Sequence, residues 1–196
     1  MSHLAVAAEP RTSTGLHSRK LAFWAFLGSE CLFFGSLIST YLVYKGKSLV
    51  GPYPGHILNI PFTSVSTFVL LMSSLTMVLA LAGIQRGRMG QFRVWIAATA
   101  LLGMTFLTGQ VIEFSSFVRE GLTLQGNLFG ATFFVLTGFH GAHVSAGVVW
   151  LWSLFAASFG GRVKPENALD VEIAGLYWHF VDVVWIAIFT LVYLIQ

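Results

Sequence analysis

The chain has 196 residues, of which 56% are hydrophobic and only 10% charged, with a formal net charge of +3 and a mean hydropathy of +0.77. An average soluble domain is roughly 45–50% apolar and about 25% charged. The excess of apolar residues excludes a soluble globular domain and a disordered chain, and points to a protein that crosses the membrane several times.

Residues 1–18 read as a polar N-terminal tail rich in Ser, Thr, Arg and His. No apolar stretch precedes residue 19, so no signal peptide is expected. Beyond the tail, gaps between charges mark the spans, because a helix needs about 20 apolar residues to cross the hydrocarbon core. The 24 residues between Lys20 and Lys45 carry one charge, Glu30, and predict a first helix near 20–45. The 38 residues between Lys47 and Arg86 carry none. That gap opens on a Pro/Gly-rich turn at 51–55, which cannot be helical, so one helix is expected near 61–86, with Pro61 tolerated in its first turn. The 25 residues between Arg93 and Arg119 hold only Glu113 and predict a third helix near 92–118. The 41 uncharged residues after Glu120 begin with loop-forming Gly121 and Gln125-Gly126-Asn127, which leaves one long helix near 127–159. Ile173 to Gln196 carries one charge, Asp182, within a fifth helix near 170–195. All five prolines avoid helix interiors. Barrel strands are about 10 residues long and alternate in polarity, a pattern absent here.

The reading is therefore an all-α integral membrane protein, with a five-helix domain over residues 19–196. With the N-terminus inside, eight basic residues flank the inner side (Arg11, Arg19, Lys20, Arg86, Arg88, Arg93, Arg162, Lys164) and three the outer (Lys45, Lys47, Arg119). That bias predicts a cytoplasmic N-terminus and an outer C-terminus. The basic residues form no stripe, so no nucleic-acid partner is implied. Cys31 is the single cysteine. It lies within the first helix, and a buried structural thiol is expected.

The informative residues are the ionisable groups inside the spans: Glu30, Glu113 and Asp182, with His140, His143 and His179. Such groups usually face the bundle interior, find partners and mark function. His140/His143 and His179/Asp182 are each spaced i, i+3 and share a helix face. Glu30, His143, His179 and Asp182 fall near mid-membrane and Glu113 near the outer end of its helix. A polar cluster among the first, fourth and fifth helices is expected, with His140, His143 or His179 bonded to Glu30 and an intrahelical His179–Asp182 pair. Its simplest role is packing, since interhelical polar contacts are common glue. Half of a carboxylate-bridged metal site, a haem held by His179 with His140 or His143, and a proton carrier remain open from these residues alone. A retinal site is excluded because Lys20, Lys45, Lys47 and Lys164 all lie at helix ends or in loops.

Small-residue rows at Gly138/Ala142/Ala146, Gly141/Ser145 and Thr105/Gly109 suit close helix packing. Trp24, Trp95 and Tyr193 are expected near the interfaces, with Trp150, Trp152, Trp178 and Trp185 deeper.

Two stretches are distinctive. Gly130–Val144 (GATFFVLTGFHGAHV) resembles the sixth-helix signature of subunit III of haem-copper oxidases, and Tyr177–Trp185 (YWHFVDVVW) resembles its last-helix signature. Ser29-Glu30 with Phe33-Phe34 resembles the third-helix motif with its membrane carboxylate. Gly109-Gln110 with Glu113-Phe114 resembles the fifth-helix motif, with Phe where Tyr is usual. The resemblance runs through all five helices in order and lacks the first two of the seven-helix mitochondrial type.

This resemblance implies an accessory subunit of a respiratory oxidase in a bacterial cytoplasmic membrane, without an active site or cofactor of its own. Haem and copper are expected in the partner subunits. The implied partners are subunit I directly, subunit II and small subunits of the same complex, membrane phospholipid, and cytochrome c through other subunits. In the family this subunit binds phospholipid between its helices and helps sustain proton uptake. Its lipid cleft is formed against the two helices missing here. Glu30 and the Gly109-Gln110…Glu113 pattern look more like the cytochrome c branch than the quinol branch. A nitric oxide reductase accessory subunit and, more distantly, a small membrane cytochrome b are the alternatives.

Overall fold

The computed structural model describes residues 17–49, 51–52 and 58–195. The described residues are all-helical in architecture, with five helices among them long and apolar enough to cross a membrane. These are α1 (Ser18–Tyr44), α2 (Ile60–Gln85), α3 (Met89–Arg119), α4 (Leu128–Phe159) and α5 (Ala168–Phe189). A 3₁₀ turn at Pro165–Asn167 leads into α5, and a π-helical turn at Thr190–Leu194 ends it. The expected tail at 1–18 falls almost wholly outside the described residues, as does most of the Pro/Gly turn at 51–55.

The helix boundaries follow local chemistry. Asn59 starts α2 by accepting the Phe62 N–H at 3.2 Å, with Pro61 in the first turn, where its missing N–H is harmless. Asn127 starts α4 by accepting the Gly130 N–H at 2.6 Å. The third helix begins three residues earlier than the sequence suggests, because the chain reverses within Arg86–Arg88. Gly87 takes φ 70° there, a left-handed conformation costly for other residues. At the end of α4, Arg93 donates to the Ser158 carbonyl at 2.8 Å and to its hydroxyl at 3.1 Å. Its guanidinium lies 4.4 Å from the Phe159 ring. Arg93 thus satisfies a terminal carbonyl that the helix cannot.

Four helices close a ring: α2 packs on α3, α3 on α4, α4 on α5, and α5 back on α2. The remaining helix, α1, lies outside the ring against α4 and α5. It is the least buried of the five and α5 the most. Charged ends pin α1 to α5. Lys20 pairs with Glu172 at 2.5 Å and Arg19 with Asp170 at 3.3 Å at one end. At the other, Lys45 donates to the Leu191 carbonyl of the π turn and to the Ile195 carbonyl just after it.

The centre of the ring is Trp178 on α5, fully buried between glycines of two neighbouring helices. A Cβ at Gly103 on α3 would stand 2.5 Å from the indole, and one at Gly147 on α4 would stand 2.9 Å from it. The row Gly138/Ala142/Ala146 behaves differently from expectation. Ala142 and Ala146 are exposed and nothing lies within 4 Å of a Cβ built on Gly138, so this row packs against no helix among the described residues. Gly141 and Gly109 do make close contacts, with Gln110 and Ser66. One further expectation is corrected. Cys31 is exposed, because α1 turns that face away from the ring. Tyr193, at the end of the last span, is buried at 1% exposure with its ring against Phe133.

Gly147→Val forces atoms into the indole of Trp178, and overpacking of this kind costs about 1–3 kcal/mol. We expect a lower thermal midpoint for the detergent-solubilised protein. Gly90→Ala, where nothing lies within 4 Å, should leave the midpoint no lower.

Candidate functional site

The six ionisable residues do not form one cluster. They divide into two pairs, one carboxylate with other partners, and one isolated imidazole.

The first pair joins α1 to α4. His143 Nε2 lies 3.1 Å from Glu30 Oε2, and Nδ1 lies 2.8 Å from the Phe139 carbonyl. A carbonyl only accepts, so Nδ1 carries a hydrogen and donates to it. Nε2 and Glu30 then share one further proton, held by the acid or by the ring. The pair is half-buried among aromatic groups, with the Phe34 ring 4.9 Å from the imidazole. Tyr177 donates to the His143 carbonyl at 3.0 Å. Of the three histidines considered for Glu30, His143 is the partner.

The second group joins α5 to α2 and includes a residue the sequence does not single out. Ser74 donates to Asp182 Oδ2 at 2.7 Å, and His179 Nδ1 lies 3.2 Å from the same hydroxyl oxygen. The expected His179–Asp182 pair is therefore bridged by Ser74 rather than purely intrahelical. The order His–Ser–Asp is not that of a hydrolase. The hydroxyl hydrogen points to the carboxylate and its oxygen receives the imidazole N–H, so nothing deprotonates the serine.

Two more hydroxyls of α2 serve the tryptophans of α5. Ser73 accepts the Trp178 N–H and Thr67 the Trp185 N–H, each at 2.9 Å. Glu113 is buried near the end of α3, accepting from Thr63 at 2.6 Å and from the Tyr193 hydroxyl. Gln110 donates to the Thr137 carbonyl of α4 at 2.9 Å, across the space left by Gly141. Of the missed residues Thr63, Thr67, Ser73 and Ser74, three (Thr63, Thr67 and Ser74) recur at four- and seven-residue steps on one face of α2, a spacing that does not by itself separate them from other hydroxyls.

His140 stands apart. It is fully buried, stacked on Trp185 with ring centroids 4.9 Å apart, and neither ring nitrogen has a hydrogen-bond partner among the described residues. Among those residues no three His, Cys, Asp or Glu side chains are placed to hold one metal ion. A bis-histidine haem would have to displace bonds already made by His143 and His179, and His140 is sealed behind Trp185 and Phe106.

The arrangement can hold helices in register and share protons within pairs. Five membrane-length helices tied by interior acid, imidazole and hydroxyl contacts define a polytopic membrane protein of bundle type. The chain matches the cytochrome c oxidase subunit III family over residues 11–196 and belongs to it. It is 39% identical over 189 residues to cytochrome c oxidase subunit 3 of Bacillus sp. strain PS3, covering 96% of this chain and 91% of that one. It is 38% identical over 196 residues to a probable quinol oxidase subunit 3 of Staphylococcus saprophyticus, covering 100% and 97%. It is also 37% identical over 172 residues to cytochrome bo(3) ubiquinol oxidase subunit 3 of Pseudomonas aeruginosa, covering 88% and 82%. The protein is thus a multi-pass bacterial membrane protein and a member of an oxidoreductase complex of the haem-copper oxidase class.

Ser74→Ala leaves the His179 N–H and the Asp182 carboxylate without their shared partner. Leaving such groups unsatisfied costs about 1–3 kcal/mol. In a double-mutant cycle read by thermal stability, His179→Gln and Asp182→Asn should couple when Ser74 is present and become additive in the Ser74→Ala background.

Proposed function

We propose that this chain is the non-catalytic subunit III of a respiratory haem-copper terminal oxidase, supporting subunit I in aerobic electron transport and proton translocation. The match through all five helices carries this reading. The internal geometry supports a scaffold. Among the described residues, Glu30, Glu113, His143, His179 and Asp182 all bond within the chain. Haem and copper belong, on this reading, to the partner subunits. Subunit II and small subunits complete the complex.

A cytoplasmic N-terminus is supported by the eight-to-three excess of flanking Lys and Arg. For the electron donor we favour cytochrome c, on the resemblance of Glu30 and of Gly109-Gln110…Glu113 to that branch. Structural phospholipid is supported by an apolar groove of about 440 Å³ between α1 and α5, lined by residues including Trp24, Leu27, Phe180 and Val183. Acyl chains suit such a surface.

The chain should be tagged and purified from its native membrane in mild detergent. A co-purifying subunit I with haem and copper, and oxygen consumption sustained by reduced cytochrome c, are the expected results. Consumption sustained by a quinol but not by cytochrome c moves the protein to the quinol branch. Elution of the chain alone, from membranes whose oxidase is intact, defeats the proposal. In the same preparation Glu30→Gln should leave haem content unchanged, because the amide still donates to His143 Nε2. A loss of haem would assign Glu30 more than a supporting part.

A further inference from the structure

The apolar groove between α1 and α5 has a polar feature that acyl chains do not answer. His179 lines it together with Trp24, Leu27, Cys31, Phe180 and Val183, in a volume of about 440 Å³. Small-molecule pockets run from about 300 to 1,000 Å³. The imidazole is half-buried. Its Nδ1 is held by Ser74 at 3.2 Å, whereas Nε2 makes no hydrogen bond among the described residues and is not one of the side-chain atoms sealed inside the protein.

The tautomer of that ring is fixed from its other side. Asp182 Oδ2 takes the Ser74 hydrogen at 2.7 Å, so the Ser74 oxygen accepts from Nδ1. A neutral imidazole with its hydrogen on Nδ1 presents a lone pair at Nε2. The reverse tautomer would draw the Ser74 hydrogen away from a buried carboxylate whose Oδ1 already lacks a partner among the described residues. The groove wall therefore carries a hydrogen-bond acceptor within hydrocarbon, where an unanswered polar atom is costly.

The missing donor must reach that depth. His179 lies about 16 Å along α5 from its start at Ala168, at roughly 1.5 Å per residue. Phospholipid donors stay in the headgroup layer, outside a hydrocarbon core about 30 Å thick, and acyl chains carry none. Helix hydroxyls at a lipid-facing surface are spent on their own carbonyls, as Thr105, Thr108 and Ser115 are here. A phenolic hydroxyl on a lipid-soluble molecule carries a free donor into the hydrocarbon. Trp24 and Phe180 offer aromatic surface to its ring, and the remaining apolar wall takes a hydrocarbon tail.

We propose that this groove binds a lipid-soluble hydroquinone, whose ring hydroxyl donates to His179 Nε2 while its ring and tail lie along α1 and α5. The site prefers the reduced form, because a quinone carbonyl only accepts and would face the imidazole lone pair. Such a site is independent of which electron donor feeds the complex.

The test is photolabelling of the purified native complex, without oxygen, by a decyl-hydroquinone carrying a diazirine on its tail. Labelled peptides are mapped by mass spectrometry. Label is expected on the α1 and α5 segments that line the groove. Unlabelled decyl-hydroquinone should compete roughly fivefold better than its dimethyl ether or its quinone, the weight of one net hydrogen bond. His179→Phe should abolish that advantage. Gly28→Leu, which places a side chain in the groove where nothing lies within 4 Å of the added Cβ, should remove the label while leaving His179 in place. Equal competition by hydroquinone and dimethyl ether overturns the proposal and leaves a groove for acyl chains only. Absence of label from these segments overturns it too, since a neighbouring subunit or a tightly held lipid then fills the groove. If His179→Phe does not assemble, the comparison of competitors on the unaltered complex and the Gly28→Leu result decide.

Discussion

Inside hydrocarbon there is no water to receive an N–H or O–H, so each such group must find its partner within the protein. On α5 four residues raise that demand at once: Trp178, His179, Asp182 and Trp185. A single neighbouring helix meets most of it, with Asp182 Oδ1 left without a partner among the described residues. Ser73, Ser74 and Thr67 of α2 receive the two indoles and the imidazole and donate to the carboxylate. Hydroxyls suit this work because each can donate and accept, so one atom type matches donors and acceptors alike. The pairing also fixes alignment. Thr67 meets Trp185 and Ser73 meets Trp178, so the two helices run antiparallel, and a shift of one turn would leave two indole N–H groups buried without acceptors.

Once α5 is set against α2, the rest of the ring follows. Trp178 projects far enough that α3 and α4 can approach only where they offer glycine, at Gly103 and Gly147. Trp185 presents its face to His140 and its edge contact to Phe106, which leaves the imidazole in a dry stack. That contact uses the ring as an aromatic surface, without its hydrogen-bonding capacity. Apart from the Glu113, Gln110 and Thr99 contacts of α3, the polar chemistry of the bundle is concentrated on the α2 side of α5 and on the α1 side of α4, with aromatic packing between them.

Five helices were legible in the sequence because charge gaps measure span length directly, and all five lie within a few residues of their expected positions. Mid-membrane Glu30 and His143 were legible as candidates for the same reason. What could not be read was which helices stand next to each other. One cluster of first, fourth and fifth helices was expected; the ring instead places α2 beside α5, so His179 and Asp182 turn to Ser74, away from Glu30. The serines and threonines of α2 were hidden by their ordinariness. Ser64, Thr105, Thr108 and Ser115 bond their own helix four residues back and serve no neighbour among the described residues, and sequence alone does not separate them from Thr67 or Ser74. The row Gly138/Ala142/Ala146 misled in the opposite direction, since small residues permit close approach without stating from which side.

The same reasoning explains why a carboxylate sits in the middle of α1. This helix has little buried surface, and it is pinned at one end by surface ion pairs, worth about 0.2–1 kcal/mol each, and at the other by Lys45 on two backbone carbonyls. A polar contact between membrane helices averages only ~0.6 kcal/mol, so the Glu30–His143 bond adds little attraction. Its weight lies in the alternatives. Rotating α1, or sliding it by one turn, would carry Glu30 away from His143 and into the lipid, where an acid at helix centre costs roughly 2.5–3.5 kcal/mol. The penalty for misplacement is several times the gain from the bond. Glu30 therefore acts on the orientation of α1 more than on its adhesion: a loosely packed helix is held in one register because every other register exposes an acid to hydrocarbon.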